Sequence, residues 1–375
     1  MRDMPYSLAI FWYERQRFLP AVLAVAFSAL LIALQCGLLL GIFSITSLPV
    51  DSTSADIWLG GPGILSVDQG IPIPAPYLAC LARQPEVEHC EIYLKGLASW
   101  VKPGARGSEL CMVIGTRLAG DALGAVRKID LATRYLLTEP GSVIVDKTEL
   151  GRLGIRGVGD RAEINGHRVR VVALVEGLQS IAAPYVYCST ETARQLLRLP
   201  ADQTTYVLAR CHDPASAPVV VERLRANPNV SVFTAEELSW RTRLHWMMKT
   251  KAGIALGFAA ALGLLVGAVV TSQTLYAATA VSLREYAVLR ALGIPRWRMR
   301  AMVLAQSLWV GVIGIGLGVL AVFSLAEGAT ALGAKVLLSP WLVAAAGTVT
   351  LVMALLSGLV ALRSLRLAEP ATLLR

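Results

Sequence analysis

Charged residues are scarce in this chain of 375 residues: they make up 16% of it, while 55% is apolar and the mean hydropathy is +0.58. This balance excludes an ordinary soluble protein of the same length. Charge is missing altogether from four stretches, each longer than the roughly 20 residues with which a helix crosses a bilayer. They run from Leu19 up to Asp51, from Ala252 to Leu283, from Ala301 to Ala326 and from Val336 to Leu362.

Signatures of catalysis and nucleotide binding are also missing. The four histidines, at positions 89, 167, 212 and 245, share no metal-ligand spacing, and the sequence has no GxSxG elbow and no GxxxxGK[ST] loop. Gly154, Gly157 and Gly159 follow a predicted helix, Lys147–Leu153, whereas a phosphate-binding loop precedes its helix. We interpret the histidines as structural and the glycines as helix-capping turns, and we predict no catalytic residue, metal site or bound cofactor in this chain.

The six cysteines match no zinc or CxxC spacing. Cys36 lies in the first apolar stretch, and the other five lie between the first two stretches, so that an odd number would face an oxidising compartment. A disulfide between Cys80 and Cys90 and buried free thiols are both compatible with the sequence.

Basic residues cluster on one side of the apolar stretches. Arg15 and Arg17 precede the first stretch, five arginines lie between the second and third, and three follow the fourth. By the positive-inside rule both termini are cytoplasmic and residues 47–250 lie outside. Residues 47–250 carry 22 Lys and Arg against 21 Asp and Glu, so the formal charge of +9 comes mostly from the remainder of the chain. The basic pI therefore reflects membrane topology and not nucleic-acid binding.

These observations predict an α-helical membrane protein with four transmembrane helices in a 1+3 arrangement and an α+β periplasmic domain inserted between helices 1 and 2. The predicted divisions are a cytoplasmic N-terminal amphipathic segment at 1–18, helix 1 at 19–46, the periplasmic domain at 47–250, a stalk and helix 2 at 251–283, a cytoplasmic helix and loop at 284–300, helix 3 at 301–326, a short periplasmic loop at 327–335, helix 4 at 336–362 and a cytoplasmic tail at 363–375.

Short β-type runs divided by Gly, Pro and Asn indicate that the periplasmic region is folded. Strands at 55–59 and 91–100 flank a helix at 75–83, and strands at 205–210 and 230–233 flank a helix at 218–226. Two such β-α-β units predict a split sheet with helices on one face, with residues 103–200 as an inserted subdomain. Within the insertion, Asn165-Gly166 predicts a hairpin between 161–164 and 168–175.

Thr234 and Glu237 have the spacing of a capping box, which predicts a helix start ahead of the second apolar stretch. No proline follows before Pro295, so one long stalk helix is expected, and a surface helix broken near Gly253 is the alternative. Glycines four residues apart in the apolar stretches predict close helix packing, within one chain or between two copies. These are Gly37 and Gly41, Gly253 and Gly257, Gly263 and Gly267, and Gly314 and Gly318.

The cytoplasmic connection between the second and third stretches carries a short amphipathic helix. Val288, Leu289 and Leu292 form an apolar patch at helical spacing, and Gly293 ends the helix before Pro295. Such a helix suits docking into a groove of a soluble partner, although it could equally rest on lipid headgroups. The candidate site comprises Arg284, Glu285, Val288, Leu289, Arg290, Ala291, Leu292 and Gly293.

The segment REYAVLRALGIPRWRMRAMVLAQS resembles the cytoplasmic loop of the FtsX/MacB-type ABC permeases, usually written R-x-x-E-I-x-x-L-R-A-L-G-A. The C-terminal LAEPATLLR is similar to the closing A-x-x-x-P-x-x-x-L-R of that family, and residues 143–177 resemble its periplasmic core domain. Among subgroups the chain looks most like the DevC type, whose ATPase is a separate polypeptide. Arg284 and Glu285 are adjacent where the family spaces them more widely, and Ile294 replaces the commoner Ala.

The resemblance implies a non-catalytic permease in a 2:2 complex with a cytoplasmic ABC ATPase, which would bind the ATP and Mg. Residues 284–293 would be the coupling helix, and ATP-driven movement would reach the periplasmic domain by mechanotransmission. A periplasmic membrane-fusion adaptor and an outer-membrane TolC-like channel are the further partners that it implies, beside the lipid bilayer and a second copy of the chain. An FtsX-like regulator of a cell-wall hydrolase, a lipoprotein-releasing permease and an integral membrane enzyme are the alternatives; the lack of a catalytic motif disfavours the last.

Overall fold

The computed structural model describes residues 15–102, 107–281, 295–331 and 336–367. In chain order, the helices are α1 Arg15–Thr46, α2 Leu48–Asp51, α3 Tyr77–Ala82, α4 Leu131–Tyr135, α5 Leu150–Leu153, α6 Thr190–Leu197, α7 Ala217–Leu224, α8 Ala235–Lys249, α9 Lys251–Val281, α10 Arg296–Ala331 and α11 Pro340–Leu367. The strands are β1 Ile57–Gly60, β2 Ile73–Pro74, β3 Val87–Val101, β4 Ser108–Thr116, β5 Ser142–Asp146, β6 Arg161–Ile164, β7 His167–Val175, β8 Tyr185–Ser189, β9 Gln203–Thr204, β10 Tyr206–Cys211 and β11 Ser231–Thr234.

Within these described ranges, four helices are long and apolar enough to cross a membrane: Phe18–Thr46, Gly253–Thr274, Leu304–Ala329 and Pro340–Leu359. The first is separated from the other three by the α+β region. The prediction of a four-span membrane protein in a 1+3 arrangement, with an inserted α+β domain, is therefore confirmed. The chain divides into a helical unit, Met1–Gly41 with Ile254–Arg375, and an α+β domain, Ile42–Gly253.

The helical unit is packed around α1. Phe18, Val22 and Val25 of α1 form one apolar cluster with Val310 of α10 and Ala354 of α11. A second cluster joins α1 to the same two helices further along, through Ile32, Ala33, Val322, Leu342 and Ala346. Among the described residues, α9 contributes to neither cluster, and its span has the smallest buried share of the four.

The α+β domain contains the predicted split sheet. Its strand order begins β11-β1-β10-β3, so the strands of the two β-α-β units interleave as antiparallel neighbours. Helices α3 and α7 cover one face, where Leu81, Val220 and Val221 pack against Ile57 and Val207. The prediction of helices on one face is confirmed.

The inserted region forms a closed barrel together with the second half of β3. The strand order continues from β3 as β4-β8-β5-β7-β6, and β6 returns to pair with the end of β3, with Trp100 opposite Ile164. β3 is 15 residues long, which allows its first half to belong to the split sheet and its second half to the barrel. The predicted hairpin at Asn165-Gly166 joins β6 to β7, with φ angles of 49° and 87° at the two turn residues.

The six cysteines are all free thiols. Of the two alternatives that the sequence left open, the disulfide between Cys80 and Cys90 is therefore absent. Cys80 lies on α3 and Cys90 on β3, and burial raises the pKa of the Cys90 thiol to about 11. A thiol with so high a pKa is a poor nucleophile at neutral pH.

The expected single stalk helix is wrong, because the helix breaks at Thr250. α8 ends at Lys249, and Thr250 has extended backbone angles, φ −93° and ψ 145°. Its hydroxyl oxygen accepts the backbone N–H of Gly253 at 3.1 Å, as an N-cap does, and its hydroxyl donates to the Trp246 carbonyl at 2.5 Å. The capped threonine therefore starts a new helix, α9, close to the break near Gly253 that was the alternative.

Candidate functional site

The predicted coupling helix, Arg284 to Gly293, lies outside the described residues. Its interpretation as an ATPase-docking element stays a prediction. The described neighbours of this segment are the end of α9 at Val281 and the start of α10, where the guanidinium of Arg298 lies 5.3 Å from the centre of the Trp297 ring.

Four of the glycines in the spans lie where α1 meets another helix. A Cβ atom added at Gly314 would lie 2.7 Å from Val25 Cβ, and one at Gly318 would lie 2.7 Å from the Ala26 carbonyl. Gly267 faces Ser28, whose hydroxyl donates to the Gly267 carbonyl at 3.0 Å. Gly263 faces the side chain of Gln35. Side chains at these positions would hold the helix backbones apart, so glycine allows the close approach.

The other four glycines that were predicted to pack against a helix have different surroundings. A Cβ atom at Gly37 would lie 3.0 Å from the side chain of Leu338, and Gly41 is buried. A Cβ atom at Gly257 would meet no described residue outside its own helix backbone within 4 Å, and Gly253 approaches the carbonyl of Trp246 at the helix break. Gly253 therefore serves a bend in the chain and not a contact between two spans.

Where the chain enters and leaves the α+β domain, three side chains join its two ends. Arg243 on α8 donates from Nε to Ser47 Oγ at 2.8 Å and from Nη2 to Asp51 Oδ2 at 2.6 Å. Ser47 donates to the same carboxylate oxygen at 2.6 Å. Ser47 and Asp51 follow α1 along the chain, and α8 precedes α9. We call Ser47, Asp51 and Arg243 the clasp.

Arg127 connects the clasp to the loop after β4. Its guanidinium donates to the carbonyl of Thr53 at 2.7 Å and to that of Asp51 at 3.2 Å, while its backbone N–H donates to the Ser52 carbonyl. An open cleft of about 460 Å³ lies beside these contacts. It is lined by Val50, Asp51, Thr53, Ala55, Arg127, Ala235, Glu236, Ser239, Trp240 and Arg243.

A second network joins α8 to the interior of the sheet. The ammonium of Lys95, on β3, lies 2.5 Å from Asp68 Oδ1, and the indole N–H of Trp246, on α8, donates to Asp68 Oδ2 at 2.9 Å. The Lys95 side chain is 2% exposed and that of Asp68 is 17% exposed, so this is a buried ion pair. We call Lys95, Asp68 and Trp246 the latch.

The latch is held by a 3₁₀ turn, Val67–Gln69, whose first backbone N–H groups need partners. Ser66 accepts from the Asp68 N–H, and Thr242 on α8 accepts from the Val67 N–H at 3.0 Å. The Val67 carbonyl accepts the Tyr206 hydroxyl at 2.9 Å and also accepts from Lys95. The turn is therefore attached both to α8 and to the sheet.

Opposing effects act on the Asp68 carboxyl. Burial alone would raise its pKa, but the Lys95 charge and hydrogen bonds from Lys95, Trp246 and Ser66 together hold the pKa below its usual value. Asp68 is thus ionised at neutral pH, as an ion pair with Lys95 requires.

Half of the predicted capping box is formed at the start of α8. Thr234 accepts the backbone N–H of Glu237 at 3.2 Å. The Glu237 carboxylate does not accept the Thr234 backbone N–H, which would complete the box. It pairs instead with Arg225, directly after α7, and with Arg241, one turn further along α8. α8 is therefore fixed to the domain at its first turn as well as at the latch.

Neither the clasp nor the latch was predicted from the sequence. Lys95 carried a signal, because a lysine inside the apolar alternation of a central strand needs a buried partner. The sequence does not indicate that Asp68, 27 residues earlier, is that partner. In the ranges that the structure describes, no group of three or more His, Cys, Asp or Glu side chains could hold a metal ion.

Comparison with known proteins gives a family match for the C-terminal region that contains spans 2 to 4. Residues 257–370 match the model of the FtsX-like permease C-terminal family. No curated protein matches the chain.

Several solved structures resemble the α+β domain at low identity. The periplasmic region of MacB from Actinobacillus actinomycetemcomitans is 11% identical, with a TM-score of 0.34, over 51% of this chain and 94% of that one. The extracellular domain of the noncanonic ABC-type transporter YknZ from Gram-positive bacteria is 10% identical, with a TM-score of 0.31, over 47% and 98%. A domain of a permease protein from Porphyromonas gingivalis is 15% identical, with a TM-score of 0.31, over 50% and 89%.

The family match covers most of span 2 and all of spans 3 and 4, and it includes the loop segment on which the resemblance was based and residues 367–370 of the closing segment. The resemblance to FtsX-type permeases is thus confirmed as a similarity of residues 257–370 to the C-terminal family of these permeases.

Proposed function

We propose that this chain is the transmembrane subunit of an ABC-type exporter and that it works by mechanotransmission. A separate cytoplasmic ATPase would dock on residues 284–293, and its ATP-driven closure would move spans 1 and 2 and the α+β domain. The observation that carries the proposal is the FtsX-like match over residues 257–370, which contains this docking segment.

The clasp and the latch support the proposal because they suit the transmission of force. The α+β domain is connected to the spans by two chain segments, the one after α1 and the one before α9. The clasp joins these segments to each other, and the latch joins the second one to the central strand β3. Displacement of either segment would therefore reach the sheet directly.

The remaining parts of the proposal follow from the resemblance and the charge distribution. We infer a 2:2 complex, with the ATP and Mg held by the ATPase, both termini cytoplasmic, and residues 47–250 in the periplasm. The α+β domain would there deliver cargo to a membrane-fusion adaptor and an outer-membrane channel.

The experiment is to replace Leu289 or Leu292 by Asp in a tagged full-length chain expressed in its host. A charge in the apolar patch should prevent docking without disturbing membrane insertion, since the patch lies outside the spans. We expect the ATPase that copurifies with the wild-type chain to be lost from both variants, together with ATP-dependent export.

Leu131→Asp is the matched control, because Leu131 is an exposed leucine of the α+β domain, with 60% of its surface accessible. It introduces the same charge far along the chain from the loop and should leave the copurified ATPase at its wild-type level. Unchanged ATPase recovery with Leu289→Asp and Leu292→Asp would refute the docking assignment. A hydrolase that is activated without transport would instead identify a regulator.

A further inference from the structure

The cleft beside the clasp carries two charges that the proposed transmission of force does not use. Its volume of about 460 Å³ is in the range of roughly 300–1,000 Å³ that is usual for small-molecule sites. Asp51 and Arg243 on its wall neutralise each other at 2.6 Å in the clasp. Arg127 and Glu236, also on the wall, are exposed and form no ion pair with any described residue. The cleft therefore presents one positive and one negative charge to a ligand.

The guanidinium of Arg127 is held from one side. Its Nε and Nη2 donate to the carbonyl of Thr53, and Nη2 also donates to the carbonyl of Asp51. These bonds fix the orientation of the plane and leave Nη1 without a hydrogen-bond partner in the described part of the chain. A fixed guanidinium with donors to spare suits the oxygens of a phosphate group.

The negative charge of the cleft lies beside an aromatic ring. Trp240 follows Glu236 by one turn of α8, and both side chains line the cleft. Trp240 is 63% exposed, so its indole is open to a ligand. A carboxylate attracts an ammonium group by charge, and the face of an indole attracts it by the cation–π interaction. Glu236 and Trp240 together therefore suit an ammonium group.

The cleft is close along the chain to both spans that flank the domain. Asp51 follows the last residue of span 1 by five positions, which limits their separation to about 18 Å. Trp240, Leu244 and Met248 follow one another at one-turn spacing on α8 and are 63%, 37% and 60% exposed. Met248 precedes Gly253, the first residue of span 2, by five positions. We call Trp240, Leu244 and Met248 the α8 stripe.

We infer that the cleft binds the headgroup of a zwitterionic phospholipid. The phosphate accepts hydrogen bonds from Arg127, the ammonium lies between Glu236 and Trp240, and the acyl chains follow the α8 stripe. An anionic headgroup without an ammonium would leave Glu236 unpaired, and a soluble zwitterion would leave the apolar stripe uncovered. Exposed tryptophan close to a span is typical of the lipid headgroup region. This site does not depend on the docking of an ATPase.

The test identifies the lipid that lies on the α8 stripe. The full chain, with the photoreactive amino acid p-benzoylphenylalanine in place of Leu244, is reconstituted into vesicles of phosphatidylethanolamine and phosphatidylglycerol and illuminated. Mass spectrometry gives the ratio of the two lipids in the adduct. The same amino acid in place of Phe258, which is 69% exposed in span 2, reports the ratio in the surrounding bilayer. We expect phosphatidylethanolamine to be enriched at position 244 by about fivefold over position 258.

A charge-removing variant of the cleft tests the headgroup contact. Glu236→Gln removes the partner of the ammonium, so it should abolish the enrichment at position 244. Glu191→Gln is the matched control and should leave the enrichment unchanged. Glu191 is likewise the exposed second residue of a helix, α6, so both variants lose the same favourable interaction with a helix dipole. Equal melting temperatures of the two variants confirm that the fold is kept.

Three results would overturn the inference. They are the absence of a lipid adduct at position 244, a lipid ratio there equal to that at position 258, and an enrichment that survives Glu236→Gln. Glycerophosphoethanolamine, the same headgroup without acyl chains, separates a lipid from a soluble ligand. Added at the concentration of the lipid, it should leave the enrichment unchanged, because the acyl chains contribute much of the binding. Loss of the enrichment would assign the cleft to a soluble zwitterion instead.

Discussion

Trp246 donates its indole N–H to Asp68 Oδ2 at 2.9 Å, and the other oxygen of that carboxylate pairs with buried Lys95. One carboxylate thus ties the helix that precedes span 2 to the central strand of the sheet. Because α8 is also fixed at Thr234 and Arg243, it has attachments along most of its length. It is held as a rigid part of the α+β domain.

Removing the charge of Asp68 should destabilise the α+β domain. Asp68→Asn leaves the Lys95 ammonium buried without a counter-charge, and loss of one partner of a buried pair costs about 3 kcal/mol or more of unfolding free energy. Urea unfolding of the full chain in detergent, followed by tryptophan fluorescence, measures the change. Asp121→Asn is the control, because Asp121 is exposed.

The same pair offers a compensation test. The double variant Lys95→Met with Asp68→Asn removes both charges, and we expect it to recover most of the lost stability. A double variant as unstable as Asp68→Asn alone would show that the ion pair is not what the single change disrupts.

The clasp should affect activity far more than stability. Arg243 and Asp51 are 37% and 35% exposed, and pairs of this kind contribute about 1 kcal/mol or less. Arg243→Asp should nevertheless reduce export-coupled ATPase turnover, since it separates the two segments that carry movement into the domain. The charge-swapped pair Asp51→Arg with Arg243→Asp should restore turnover, and failure to do so would count against a role for the ion pair.

Glu91 should make the domain less stable as pH rises. Its side chain is 1% exposed, and burial raises its pKa in spite of hydrogen bonds from Gly124 and Leu123 and the nearby charges of Arg117 and His89. The native state therefore retains a proton that the unfolded state releases, so stability falls from about pH 4.3, the unfolded pKa, up through the raised native value.

The effect of Glu91 is measured as the difference in melting temperature between a variant and the wild type. The other titrating groups are the same in both proteins, so their contributions cancel in this difference. The melting temperature of Glu91→Gln minus that of the wild type should grow between pH 4.5 and pH 7. Glu88→Gln, at an exposed glutamate three residues earlier, should show a constant difference. A difference for Glu91→Gln that does not change with pH would contradict this account.

Glycine should be required at Gly314 and not at Gly316 on the same helix. A side chain at Gly314 meets Val25 of α1, whereas a Cβ atom at Gly316 would have no described residue outside its own helix backbone within 4 Å. Gly314→Val should cost about 1–3 kcal/mol and lower the yield of folded protein in detergent, as overpacking does. Gly316→Val should be close to wild type in size-exclusion chromatography, and equal losses in both variants would argue against the packing assignment.

Local patterns in the sequence predict most of the elements, because their causes are local. Apolar length specifies the four spans, and Asn165-Gly166 specifies a hairpin through its positive φ angles. The return of β6 to β3 depends on a pairing between residues more than 60 positions apart, and no local pattern encodes it. The partnership of Lys95 with Asp68 is non-local in the same way.

The helix break at Thr250 shows a second limit of prediction from the sequence. Continuous helix was expected because no proline intervenes, yet a threonine that both caps α9 and bonds to the end of α8 breaks the helix. Gly253 was predicted to pack against another helix, and in the structure it allows the bend. Gly253 was singled out from the sequence and Thr250 was not, and the roles of both depend on contacts that the sequence does not display.

The distance between two copies of α8 tests mechanotransmission most directly. A spin label at position 240, on an exposed side chain of α8, would be introduced into a chain whose six cysteines are replaced and which is purified with its ATPase. Pulsed electron paramagnetic resonance then gives the distance between labels in the two copies. The account predicts that a non-hydrolysable ATP analogue shifts this distance in the wild-type background and leaves it unchanged with Leu292→Asp. A distance that stays the same when the wild-type complex is saturated with the analogue would contradict it.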